Sequence, residues 1–224
     1  LVGSVMCIRD SSRRGAVVLR IEGFEAGLGR WLGDQLAEIP ADSDVVIDLR
    51  GNPGGLLLEA DAALSCFLPA RQPWATRIAR GGRPVTLTIM PGCGDLEQPA
   101  PHDVALLVDQ YSRSAAELTP AALQEAGRAV VVGEPTGGSV LISQDTRLPD
   151  GGRLTLSRAD YITAGGVRLE KRGVTPDVIV ARTLEDRRAG RDPMLDAALE
   201  ALNRQELARA ASAGTPVVAM AEGL

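Results

Sequence analysis

Two short stretches of this sequence place residues where an acyl-transfer reaction could use them. The first is Asp48-Leu49-Arg50-Gly51-Asn52-Pro53-Gly54-Gly55. Paired glycines ahead of a helix allow backbone N–H groups to point into open space, and the helix end favours negative charge there. Those are the requirements of an oxyanion hole. The same residues also make an ordinary strand-to-helix turn. The second stretch is Tyr111-Ser112-Arg113-Ser114-Ala115-Ala116-Glu117. A serine in the first turn of a helix, just past a buried strand, is held rigidly, and Ala115 and Ala116 leave room beside it. Ser114 and Glu117 also have the spacing of a capping box, in which the serine is simply the helix N-cap.

These stretches need elements to position them. Ala16 to Ile21 reads as a strand and Leu28 to Ile39 as an amphipathic helix. Asp44 to Leu49, Val104 to Asp109 and Ala129 to Val132 are short apolar runs of the kind found in buried parallel strands. Helices are expected over Leu56 to Leu68 and Ser114 to Ala126, with Pro120 removing a hydrogen bond and kinking the second. Shorter strands are expected at Pro84 to Ile89, Arg153 to Ser157, Val167 to Leu169 and Val178 to Val180. A closing helix spans Asp192 to Leu202, with Asp192 as N-cap and Pro193 in first position. Alternating strands and helices predict an α/β fold with a largely parallel central sheet. Ligands of such folds sit beyond the carboxyl ends of the strands, so both turns would face one crevice. Residues 1–14 show no amphipathic period and read as a truncated or non-native edge, 15–203 as the core, and 204–224 as an Ala-rich tail.

Composition narrows the function. A formal net charge of −5 argues against nucleic acid, whose phosphates require a basic field. No run of about 18 apolar residues is present, so no membrane-spanning segment is expected. With one histidine, His102, and three cysteines lacking metal-ligand spacing, neither a metal nor another cofactor is expected. Cys66 falls in an expected buried helix and reads as a small core residue.

Several stretches in their order resemble the C-terminal processing, or tail-specific, serine peptidases: VVIDLRGNPGG, ALLVDQYSRSAAE followed by AALQEAGRAVVVGEPTGG, RGVTPDV, and the closing RDPMLDAALEAL. The resemblance runs from about Gly15 to Leu202. It implies a crotonase/ClpP-like α/β core with Ser114 as nucleophile and Glu117 as the family's helix glutamate. It also implies oxyanion donors at the backbone N–H groups of Gly55 and Ala115. Members generally cleave proteins or peptides near a C-terminus, often in an exported compartment, and many carry a PDZ domain just before the segment where this chain begins. Arg113 stands where a small residue is usual, and Ala116 where a serine is common.

The proton acceptor is the gap. A serine hydroxyl is a weak nucleophile until a neighbouring group takes its proton. The resemblance puts Ser139, in Gly133-Glu134-Pro135-Thr136-Gly137-Gly138-Ser139, at the position of the lysine in the lysine-dependent branch. His102 precedes the strand that Ser114 follows. Six residues at about 3.3 Å each separate the two by roughly 20 Å, and His102 reads as a surface-loop residue. Lys171, the only lysine, lies in a charged run that reads as a solvated strand end. The GEPTGG loop is similar to that of tricorn-like and retinoid-binding-protein-like members, which use or retain a histidine from an upstream segment. Two readings follow: a serine endopeptidase whose base lies outside these residues, or a peptide-binding pseudoprotease. A third class, an acyl-CoA enzyme of the wider crotonase-like group, leaves the serine motif unexplained.

Overall fold

A computed structural model describes residues 7–11, 15–91 and 93–212, with no side-chain description for 7–11 or beyond 205. The main sheet has six strands in the order β1-β2-β3-β6-β7-β10. They are β1 (Cys7–Ser11), β2 (Ala16–Ile21), β3 (Asp44–Asp48), β6 (Val104–Val108), β7 (Ala129–Gly133) and β10 (Val178–Ile179). All neighbours pair in parallel except the edge strand β1, which runs antiparallel to β2. Cys7–Ser11 therefore belongs to the sheet, a local pairing that has no apolar period to announce it. The rest of the expected N-terminal edge, 1–6 and 12–14, and of the tail, 213–224, lies outside the described residues.

The apolar runs in β3 and β6 are continuous because both faces of this sheet are covered. On one face Val45, Ile47, Leu106 and Val108 pack with α1 (Leu28–Glu38), α2 (Leu57–Ser65) and α3 (Ala115–Glu125). On the other, Val46, Ala105 and Leu107 pack with Met194, Ala198 and Leu202 of α5 (Pro193–Ser212), which continues past the expected end at Leu202. Helix α1 has no side-chain cap of its own at Gly27. Instead Glu59 of α2 accepts from the Gly27 and Gly29 N–H groups at 3.0 and 2.9 Å, joining the two helices. Helix α3 runs through Pro120 as one segment, so the expected kink does not interrupt it.

A second, antiparallel sheet has the order β5-β4-β9-β8. It comprises β4 (Pro73–Ala79), β5 (Val85–Thr88), β8 (Ile142–Arg147) and β9 (Arg153–Thr163). Its β9 extends well past the expected Ser157. The expected strand Val167–Leu169 is absent, because the Gly165-Gly166 turn returns the chain for a single bridge, Ile162 to Arg168. A short helix, α4 (Leu184–Arg188), precedes α5 and was not foreseen.

Cys66 and Cys93 form a disulfide. Cys66 is buried as expected, but it is bonded rather than free, at the C-cap of α2. The pairing joins residues 27 apart in sequence that only the folded chain brings together. His102 is also a correction. It is 2% exposed, with Nδ1 3.0 Å from Ser43 O and Nε2 3.4 Å from Leu36 O, because β6 starts beneath the end of α1. It is a core residue, at the opposite end of β6 from Ser114.

Candidate active site

The strands β3 and β6 are neighbours in register, so the turns that follow them emerge side by side. Three hydrogen bonds tie one turn to the other. Gly51 N–H donates to Asp109 Oδ1 at 2.9 Å, the Ser112 hydroxyl donates to Leu49 O at 2.9 Å, and Arg113 N–H donates to Asn52 O at 3.0 Å. Asn52 and Ser112 are fully buried. The Asn52 amide also donates to Ile21 O and accepts from Gly54 N–H, both at 2.8 Å, which sets the glycine turn on the end of β2.

Gly54 and Gly55 have φ of 94° and 150°, which glycine adopts without strain. The approach is equally demanding. A Cβ on Gly54 would lie 2.6 Å from Ser114 Cβ, and one on Gly55 would lie 2.3 Å from Phe24 O. Phe24 N–H donates to Gly54 O and Phe24 O accepts from Leu56 N–H. The Gly55 N–H lies between these bonds and has no hydrogen-bond partner among the described residues. The Ala115 N–H, at the first position of α3, is also unpartnered among them, as the first N–H groups of a helix are. The two expected oxyanion donors are therefore free and lie on turns that touch at Ser114.

Ser114 has φ 55° and ψ −119°, a strained backbone for a residue with a side chain. It persists because the surroundings over-determine it. Its N–H is shared between Glu117 Oε2 at 3.0 Å and Ser139 O at 3.1 Å. Its carbonyl accepts from Glu117 N–H at 2.8 Å, within the capping box that the spacing of Ser114 and Glu117 forms. No side chain among the described residues hydrogen-bonds the Ser114 hydroxyl.

Glu117 is 0% exposed and does more than complete a cap. Besides Ser114 N–H, its carboxylate accepts from the Thr136 hydroxyl at 2.6 Å, Gly138 N–H at 2.7 Å and Ser139 N–H at 2.8 Å. It holds Ser114 against the GEPTGG loop. Thr136 in turn accepts from Val174 N–H at 2.7 Å, and Asp177 accepts from Val131 N–H at 2.8 Å. The RGVTPDV stretch thus braces the loop that braces the serine.

Ser139 is exposed, and its backbone is bonded on both sides to the Ser114 and Glu117 groups. Its position lies beside the serine, where it presents only a hydroxyl. Lys171, with φ 63°, donates its N–H to Gly138 O at 2.7 Å and has an exposed side chain with no ion pair among the described residues. It sits on the GEPTGG loop rather than at the end of a strand. Arg113 is exposed, with its side chain over Gly137. Among the described residues no group of three or more His, Cys, Asp or Glu could hold a metal ion.

A cavity of about 520 Å³ opens beside the serine, lined by Gly55, Leu57, Ser114, Leu118, Ile142 and Tyr161 among others. Its walls are mainly aliphatic. Nothing in the sequence marked Tyr161, Asn52, Ser112 or Thr136 as site residues, although the last three lie inside the quoted motifs. A run of buried polar residues within such motifs is the signal that could have found them.

Residues 16–180 match the model of peptidase family S41, and the chain belongs to that family. It is 29% identical over 206 residues to a carboxy-terminal-processing protease of Bartonella bacilliformis, covering 85% of this chain and 46% of that protein. It is 33% identical over 180 residues to a carboxyl-terminal-processing protease of Synechocystis sp., covering 78% of this chain and 40% of that protein. The solved photosystem II D1 C-terminal processing protease superposes with a TM-score of 0.61 at 23% identity, over 74% of this chain and 42% of the other. The chain spans less than half the length of these relatives. Among the described residues no helix is long and apolar enough to cross a membrane.

Proposed function

We propose that this chain is the catalytic core of a serine endopeptidase of the C-terminal processing type, with Ser114 forming the acyl-enzyme. The observation that carries the proposal is the pairing of a strained, rigidly held Ser114 with two unpartnered N–H groups, at Gly55 and Ala115, on abutting turns. Attack by the Ser114 oxygen on a peptide carbonyl would form the tetrahedral intermediate, and these N–H groups would stabilise its oxyanion. Glu117 is the positioning residue. The proton of Ser114 passes to a base outside the described residues, in the manner of the histidine-using relatives. The processing proteases among its relatives support protein substrates cut near a C-terminus. The doubly covered parallel sheet with its nucleophile beyond β6 supports a crotonase/ClpP-like core. The Cys66–Cys93 disulfide and the family resemblance together favour an exported, oxidising compartment.

Labelling by a serine-reactive peptidyl phosphonate tests this reading. Mass mapping of the chain, and of any longer protein that contains it, should place the adduct on Ser114, with Ser114→Ala unlabelled and inactive. Peptide binding of equal affinity by wild type and Ser114→Ala, without labelling or turnover in any form, would establish a pseudoprotease instead.

A further inference from the structure

Tyr161 lies in β9, which carries it from the second sheet to the floor of the cavity beside Ser114. The residue is 3% exposed. Its hydroxyl nevertheless has no hydrogen-bond partner among the described residues. The enclosed, unpartnered side-chain atoms among them are Thr119 Oγ1 and Arg182 Nε, so the Tyr161 oxygen is not sealed from solvent, and the cavity is the one its residue lines. Burial pushes the phenol up to about 12, against the field of Arg77, which keeps it a neutral donor at any physiological pH. The other polar side chains of the lining are Ser114 itself and the exposed Ser143, and among the described residues no carboxylate or basic side chain lines the cavity.

We propose that the Tyr161 hydroxyl is a specificity-determining group, which hydrogen-bonds the uncharged polar tip, above all a glutamine amide, of the substrate side chain held beside Ser114. The proposal rests on the assignment of Ser114 as nucleophile. The aliphatic walls take the methylene stem of such a side chain, and the phenol O–H donates to the amide oxygen at its end. A charged tip would lose its hydration with no ion-pair partner lining the cavity. A wholly apolar side chain of the same length would displace solvent from the phenol and leave it unpaired. A cavity of about 520 Å³ admits a side chain of glutamine size with its stem extended.

Two peptides differing only in Gln or Met before the scissile bond test this, because the two side chains match in length. Wild type should favour Gln by about three- to tenfold in kcat/KM, the worth of one neutral hydrogen bond. Tyr161→Phe should abolish or reverse that preference, read as the Gln:Met ratio of kcat/KM within each protein. The hydroxyl has no partner within the described residues, so its removal breaks no native hydrogen bond, and an unchanged thermal midpoint checks this. The same Gln:Met ratio in both proteins would overturn the proposal. Dissociation constants for both peptides, measured by fluorescence anisotropy alongside, separate the two readings. Tyr161-dependent binding without turnover sinks the peptidase reading and keeps this one, whereas binding indifferent to Tyr161 sinks this one.

Discussion

Glu117 accepts four hydrogen bonds, three of them from backbone N–H groups, on a carboxylate sealed from solvent. A glutamine there keeps one acceptor oxygen and turns an NH2 group toward donors. Glu117→Gln should therefore destabilise the fold by about 2–4 kcal/mol, through buried donors left unpaired. Urea unfolding measures that loss, and phosphonate labelling of Ser114 should slow even at low temperature, where the variant is folded. Gly54 is the second test at this scale. Its φ of 94° and the 2.6 Å approach to Ser114 Cβ leave no room for a methyl group. Gly54→Ala should slow labelling about 100-fold by displacing the serine from its donors. Normal labelling would show that the two turns need not touch. Ser114 and Glu117 were legible as residues three apart in a motif. The hydrogen bonds from Thr136, Gly138 and Ser139 to Glu117 were not, because those residues lie 19 to 22 positions further along the chain.

Helix α2 links the oxyanion turn to the disulfide. It begins just after Gly55 and ends at Cys66, and through Glu59 it also caps α1. The cross-link closes a loop of sequence separation 27. On chain-entropy grounds its removal by Cys66→Ala with Cys93→Ala should cost about 3.5 kcal/mol. Urea unfolding under oxidising and reducing conditions checks the figure: wild type should weaken on reduction, and the double variant should not respond. Peptide mapping without reductant should recover Cys66 and Cys93 in one cross-linked product. The limits of most helices and core strands were readable within a few residues, since an apolar run with a glycine turn or a cap is a local signal. Strand β8 was not, and β9 was expected only over Arg153 to Ser157, because most side chains of this hairpin are exposed and no buried alternation marks it.

Across the whole molecule, α5 is fastened over the sheet by a charged latch. Arg50 meets Asp48 through two hydrogen bonds, at 2.9 and 2.8 Å, and Asp192 at 2.8 Å. Asp192 also accepts from Leu195 N–H at the start of α5. Burial works against the Asp192 charge, but the Arg50 hydrogen bond and field outweigh it and hold the carboxyl below its usual 3.8. A lowered folded value means stability that is fully present above the unfolded value and lost as pH falls through the folded one. The stability gap between wild type and Asp192→Asn should therefore be complete above about pH 4 and shrink below it. Thermal midpoints across that range decide the point, and a gap that widened on acidification would contradict it.

The order of the core parallel strands and the helices between them, the burial of both faces of that sheet, the family and the place of Ser114 at the head of α3 were determined by the sequence itself. Each is written in contiguous residues, as an apolar run, a glycine pair or a motif. Tertiary structure decided the rest: that Ser114 and Gly54 touch, that Glu117 ties the serine to the GEPTGG loop, and that Cys66 is bonded to Cys93. It also turned His102 into a core residue and set Tyr161 on the floor of the cavity. Those relations join residues far apart along the chain, and their hydrogen bonds and contacts exist only after the two sheets and three helices have closed around them.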